Sequence, residues 1–146
     1  MIKAGCDNNL GIRGIAFINS KGFPYCFNKE EIMGESQLEL EKNRVKQRDK
    51  FGELLPGLKG ALDGLKDEVY RDGALSVKIK RLMSLAIGLR AGCRSCILSQ
   101  TMSALEAGAT KDEILETIAV EVSMSGTTGI GESLRVIQLL DELGKL

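Results

Sequence analysis

From Pro56 to the end of the chain, apolar residues return every three or four positions, and single glycines interrupt the stretches that carry them. That 3.6-residue periodicity restricts the possible folds more than any other feature. Pro56 opens the first case, in which Leu58, Ala61, Leu62, Leu65 and Val69 form one stripe of a helix ended by Gly73. Ser76 is a natural N-cap for SVKIKRLMSLAIGLRA, where Leu82, Leu85, Ala86 and Leu89 share a face, and Gly92 breaks that helix. Residues 93–107 read as a further helix closed by Gly108. Thr110, with Glu113 three positions on, then forms a capping box. The helix over 111–124 turns Ile114, Ile118 and Val122 toward the core. A glycine-rich link, SGTTGIGES, precedes a last helix carrying Leu134, Ile137, Leu140 and Leu143. The expectation is an all-α domain from about Glu35 onward.

The charged segment ahead of it, ESQLELEKNRVKQRDKF, predicts a largely solvated helix whose Leu38, Val45 and Phe51 do not fill a broad face, suited to packing on a partner subunit. Residues 1–32 share none of this periodicity. GIAFINSKGFPYCF has the aromatic and β-branched character of short strands, with Ser20, Lys21 and Gly22 as a turn. Lys29, Glu30 and Glu31 need purine-rich codons of the kind found in a ribosome-binding site, and Met33 follows closely. The expectation is that residues 1–32 are a non-native leader translated from upstream sequence, weakly ordered or packed opportunistically, and that the domain spans 33–146.

Composition narrows the function. Apolar residues make up 43% of the chain, aromatics only 4%, and tryptophan is absent, so the core must be aliphatic. Twenty basic and twenty acidic residues cancel, which removes any long-range attraction to nucleic acid or an anionic membrane. No apolar run approaches the roughly 20 residues of a membrane span, and the first residues lack a secretory pattern, so the expected location is the cytoplasm. In that reducing compartment the four cysteines are not expected to be structural disulfides.

The chemistry concentrates in AGCRSCILSQ, residues 91–100. Cys93 and Cys96 stand three apart. On a helix that puts their Cβ atoms about 5–6 Å apart, against roughly 3.5–4.5 Å across a relaxed disulfide; such a pair closes with some strain and reopens readily. A helix starting at Gly92 would bring its free N–H groups to the sulfurs, and Arg94 adds a cation; both favour thiolate. The bland alternative is two buried small hydrophobes. A zinc site lacks ligands, since the chain has no histidine and Cys6 and Cys26 lie far apart in the leader, so no metal or cofactor is expected. SGTTGIGE is no phosphate loop, because no strand precedes it and the lysine is missing. The five methionines read as core filler.

The run from Leu75 to Leu143, with SVKIKRLMSLA leading into GCRSC, then SALEAGATKDEILETIA and Gly126 after a small-residue turn, resembles the carboxymuconolactone decarboxylase family. Its CxxC makes it similar to the AhpD-type alkylhydroperoxidase branch. The resemblance implies a helical AhpD-like fold assembling as a homo-oligomer, trimer or hexamer. It also implies a dithiol that reduces a hydroperoxide and is itself reduced by a lipoyl-type or thioredoxin-like donor. That branch has a glutamate twelve residues before the first cysteine and a histidine four after the second as a proton relay; here the positions hold Arg81 and Gln100. Glutamine takes up no proton at neutral pH and arginine stays charged.

Glu121 is the candidate replacement. It projects from the apolar stripe of its helix, where a carboxylate needs a partner. Within reach of the dithiol it would be a general base; the alternatives are an ion pair with Arg81 or another cation, or escape to solvent. Cys96 is the expected attacking thiol because Gln100 lies one turn on, and Cys93 the resolving one, although proximity to the helix start alone would favour Cys93. The expected catalytic set is Cys93, Cys96, Gln100 and Glu121, with Arg81 shaping the pocket. Two other readings compete: a decarboxylase or lactone-processing enzyme, weakened by the missing histidine, and a non-catalytic redox-sensing scaffold.

Overall fold

The computed structural model describes residues 34–146 and, ahead of them, the backbone of three strands. The chain divides into two compact units, Met1–Ser36 and Gln37–Leu146. In the first, β1 (Lys3–Asp7), β2 (Arg13–Ile18) and β3 (Pro24–Phe27) form an antiparallel sheet in that order. Ala4 faces Ile15, Phe17 faces Tyr25, and an irregularity between Ala4 and Cys6 shifts the register of the first pair. The strand character of GIAFINSKGFPYCF thus appears as β2 and β3. The expected turn at Ser20–Gly22 and the expected start at Met33 lie outside the described residues.

The second unit is all-helical, with α1 (Gln37–Leu54), α2 (Pro56–Val69), α3 (Val77–Arg90), α4 (Arg94–Glu106), α5 (Lys111–Ser125) and α6 (Thr127–Glu142). Glycines set its tight corners. At the end of α3 the Cys93 N–H bonds the Gly88 carbonyl and the Gly92 N–H bonds the Leu89 carbonyl, with Gly92 at φ +61°. This is the Schellman arrangement, which only glycine adopts without penalty. The same pattern recurs at the end of α4, where Ala109 bonds Ala104, Gly108 bonds Leu105 and Gly108 has φ +82°. Each corner is followed at once by an N-cap: Cys93 for α4, Thr110 for α5. The full capping box at Thr110 and Glu113 is present, and Ser76 caps α3 by accepting the Ile79 N–H.

The core is aliphatic, as composition requires. Leu82, Leu85 and Leu89 of α3, Ile97 and Ala104 of α4, Ile114 of α5, and Val136 and Leu140 of α6 pack into one cluster. Burying each large side chain stabilises the fold by about 1.5–3 kcal/mol. Leu134 is not among them: it is 62% exposed, and Val136, Leu139 and Leu140 supply the buried face of α6 instead. The glycine-rich segment expected as a link is also corrected. Only Gly126, at φ +61°, interrupts the helices, and Thr127 onward belongs to α6. Seven of the nine residues in SGTTGIGES are glycine, serine or threonine and read as loop by composition, yet flanking helices on both sides override that weak propensity.

α1 is anchored at its N-terminus by α6: Glu142 accepts the Gln37 and Leu38 N–H groups. Its buried Glu41 is held by two 2.6 Å bonds from Arg44. α2 has the predicted apolar stripe but buries no residue of it; Leu58, Leu62, Leu65 and Val69 all stay exposed. No helix among the described residues is long and apolar enough to cross a membrane.

Candidate dithiol site

The sequence predicts that the two cysteines meet at a helix start, and they do. Cys93 and Cys96 are joined as a disulfide with their Cα atoms 5.2 Å apart, inside the ordinary range for such a bond. The expected fixed separation of two helical residues does not apply, because Cys93 is the N-cap, in extended conformation, and only Cys96 is helical. Cys93 Sγ accepts the Cys96 N–H at 3.3 Å. The sulfur therefore occupies the place of a capping oxygen, among the free amides of the first turn. Cys93 is half-buried and Cys96 exposed, so solvent and a small substrate reach Cys96 more directly. Neither is sealed in hydrocarbon, which removes the reading of two buried hydrophobes.

Gly88 sets how close α3 comes to this turn. A Cβ there would stand 3.2 Å from Cys96 Cβ and 3.5 Å from the Ile97 nitrogen, so a larger side chain would push the helix start away. One turn beyond Cys96 on α4 lies Gln100, and seven residues before Gly88 on α3 lies Arg81. These two meet: Arg81 Nη1 donates to Gln100 Oε1 at 3.3 Å. The guanidinium also stacks 3.5 Å above the Tyr70 ring. Ser84 Oγ gives its single hydrogen to the Lys80 carbonyl, so in the 2.8 Å contact with Tyr70 the phenol must be the donor. The chain Gln100–Arg81–Tyr70–Ser84 is thus fixed at every joint. Tyr70 and Ser84 also line a groove of about 680 Å³ with Val69, Leu75, Met83 and Ile87.

Sequence reasoning placed Arg81 and Gln100 near the dithiol but named neither Tyr70, Ser84 nor Gly88. Tyr70 follows a helix end with no periodic signal. The i, i+3, i+7 spacing of Arg81, Ser84 and Gly88 was the available clue.

Glu121 is 4% exposed, so it does not escape to solvent, and it pairs with no cation among the described residues. The expected partner, Arg81, is engaged with Gln100 and Tyr70. Both carboxylate oxygens lack a hydrogen-bond partner there, as do Ser125 Oγ and Ser133 Oγ. The carboxylate lies against Gly129, in the first turn of α6, where a Cβ would collide with Oε2. Glu113 holds the capping box and an ion pair: Lys78 Nζ stands 2.6 Å away, and that contact first, the Thr110 amide second, hold the carboxyl below its ordinary value. No group of three or more metal-ligating side chains occurs among the described residues.

Comparison with known proteins agrees with this architecture. A carboxymuconolactone decarboxylase family protein of Legionella pneumophila superposes with a TM-score of 0.70 at 26% identity, covering 77% of this chain and all (100%) of the other. A Thermotoga maritima member of the same family, for which a role in antioxidative response has been suggested, gives 0.63 at 28% identity, over 70% of this chain and 90% of its own. An uncharacterised protein of Cupriavidus necator is 28% identical over 93 residues, 64% of this chain and 82% of that protein. The profile of the carboxymuconolactone decarboxylase family matches residues 56–139, more than half of the chain and the whole span from α2 to the buried face of α6. With the six-helix unit and its dithiol corner, that match identifies the chain as a member of the carboxymuconolactone decarboxylase family.

Proposed function

We propose that the protein is a CxxC-dependent thiol oxidoreductase of the AhpD type, reducing a hydroperoxide or a small disulfide. The observation that carries this reading is the Cys93–Cys96 disulfide at the N-terminus of α4 with Cys96 exposed. In the reduced protein, the Cys96 thiolate attacks the distal oxygen of ROOH. The O–O bond breaks, the alkoxide leaves and takes a proton from water, and Cys96 becomes a sulfenic acid. Cys93, held as thiolate by the first-turn amides, attacks that sulfur. The disulfide forms and hydroxide leaves as water. A dithiol donor, lipoyl-type or thioredoxin-like, then returns the two electrons. Exposure of Cys96 lets solvent supply the protons, which suits a site lacking imidazole.

The assembly proposed for this activity is a homo-oligomer, trimer or hexamer, in the cytoplasm. Support comes from α2, whose whole apolar stripe is uncovered in the single chain; sedimentation at the mass of one chain would remove that part. Glu121 is assigned a structural role in this reading. The carboxylate, carried by α5, lies against Gly129 in the first turn of α6, which has no side-chain cap, and the dipole of that helix offsets part of the cost of burying it.

A second reading, a redox sensor that forms the disulfide but turns over slowly, is favoured by the Arg81–Gln100 pair, which relays no proton. Peroxide consumption under excess dithiol separates the two. Sustained turnover lost in both Cys93→Ser and Cys96→Ser supports the enzyme. One equivalent of peroxide consumed per chain, without recycling, supports the sensor. Consumption that survives both substitutions sinks the dithiol reading altogether.

A further inference from the structure

Charge is not spread evenly over this neutral chain. Between Gly73 and Leu105 there are five basic residues, Lys78, Lys80, Arg81, Arg90 and Arg94, and no acidic one. This segment is the α3–α4 hairpin, with the dithiol at its corner. Two of the five charges are spent elsewhere: Lys78 pairs with Glu113, and Lys80 binds the Val69 and Arg71 carbonyls. Arg90 is exposed three residues ahead of Cys93, and Arg94 is exposed between the two cysteines. Arg81 differs from all of these. It is half-buried, stacked on Tyr70 and bonded to the Gln100 oxygen, yet it has no carboxylate partner among the described residues.

A guanidinium offers five N–H donors in a planar fork. One is engaged by Gln100, and the stacking uses the face rather than the edge, so the remaining donors have no acceptor among the described residues. The Gln100 amide accepts through its oxygen, which leaves its NH₂ as a further donor one helical turn from Cys96. Tyr70 is fixed from beneath by Ser84, so the guanidinium is pre-organised rather than swinging freely. A cation immobilised in this way, with donors to spare, on a hairpin stripped of acids, matches a carboxylate or another small anion.

We propose that Arg81, with the Gln100 amide, is an anion-recognition site of the dithiol centre, so that its preferred substrate is a peroxide or disulfide bearing a negatively charged group near the reacting bond. This deepens the thiol oxidoreductase reading and rests on it for the identity of the substrate. The recognition itself is separable from turnover, because charge selectivity can be read with electrophiles that alkylate the thiol without being reduced.

Alkylation of the fully reduced chain is the test. Iodoacetate and iodoacetamide are nearly equal in size and differ by one charge. With either, the Cys96 thiolate displaces iodide and forms a thioether, and mass spectrometry assigns the modified residue. The readout is the ratio of the second-order rate constants, iodoacetate over iodoacetamide, at Cys96. Arg81→Gln should lower that ratio about fivefold, the factor for one unit-charge contact near 4 Å in water, and Arg81→Lys should retain most of it. In wild type the ratio should fall as ionic strength rises from about 0.01 M to 0.15 M, where the screening length shrinks from about 30 Å to 8 Å. A ratio unchanged in Arg81→Gln overturns the proposal, whatever its response to salt. If Arg81→Gln does not fold, Gln100→Leu, which removes the amide half of the site and the anchor of Arg81, takes its place: the ratio should fall, and an unchanged ratio overturns the proposal. A charge-selective thiol without peroxide turnover would sustain anion recognition and sink the peroxidase reading; turnover without charge selectivity would do the reverse.

Discussion

Glu121 shows how a single residue can be found from the sequence while the surface it packs against stays out of view. Its place on an apolar stripe singled it out, and it is indeed buried. What the stripe could not reveal is the opposing surface, which is the first turn of α6 at Gly129. A buried carboxylate without a hydrogen-bond partner is costly, and the favourable dipole of α6 offsets at most about 2 kcal/mol. Glu121→Gln keeps the shape and removes the charge. It should therefore raise thermal stability, read as a higher midpoint of unfolding, and leave peroxide turnover within twofold of wild type. A folded Glu121→Gln protein whose turnover falls more than tenfold would instead make this carboxylate the general base.

Helices and their caps were the most legible elements. Ser76, Thr110, Gly92 and Gly108 stand where local chemistry demands them, and each has the predicted role. SGTTGIGES misled because its composition imitates a loop while its neighbours extend helices through it, leaving only Gly126 outside. Contacts between distant residues, such as Glu142 on the start of α1 or Arg81 on Tyr70, carry no local signal at all. At this scale the α3–α5 contact makes a pH prediction. Glu113, on α5, is lowered in the fold from an ordinary value of 4.5, first by Lys78 and then by the Thr110 amide. Its contribution to stability is thus complete above about pH 4.5 and is lost as pH falls through the lower folded value. Wild type should lose stability below pH 4.5 more steeply than Glu113→Gln, as read from denaturant midpoints across pH. Parallel curves for the two proteins would show that this ion pair and cap do not govern acid sensitivity.

For the whole molecule, the fold serves the site by bringing the tight end of one helix to the free start of the next. Gly92 turns the chain, Cys93 both closes α3 and caps α4, and Gly88 lets the two helices approach at Cys96. Family membership brings the helical framework, and within it Arg81 donates to the Gln100 oxygen one turn beyond Cys96. The central claim is that Cys96 is the sulfur that takes oxygen from the peroxide and Cys93 the one that releases it. Trapping the sulfenic acid with dimedone tests it most directly. In Cys93→Ser, where the intermediate cannot close to a disulfide, one equivalent of hydroperoxide should yield an adduct on Cys96. An unlabelled Cys96 there, together with an adduct on Cys93 in Cys96→Ser, would contradict the account.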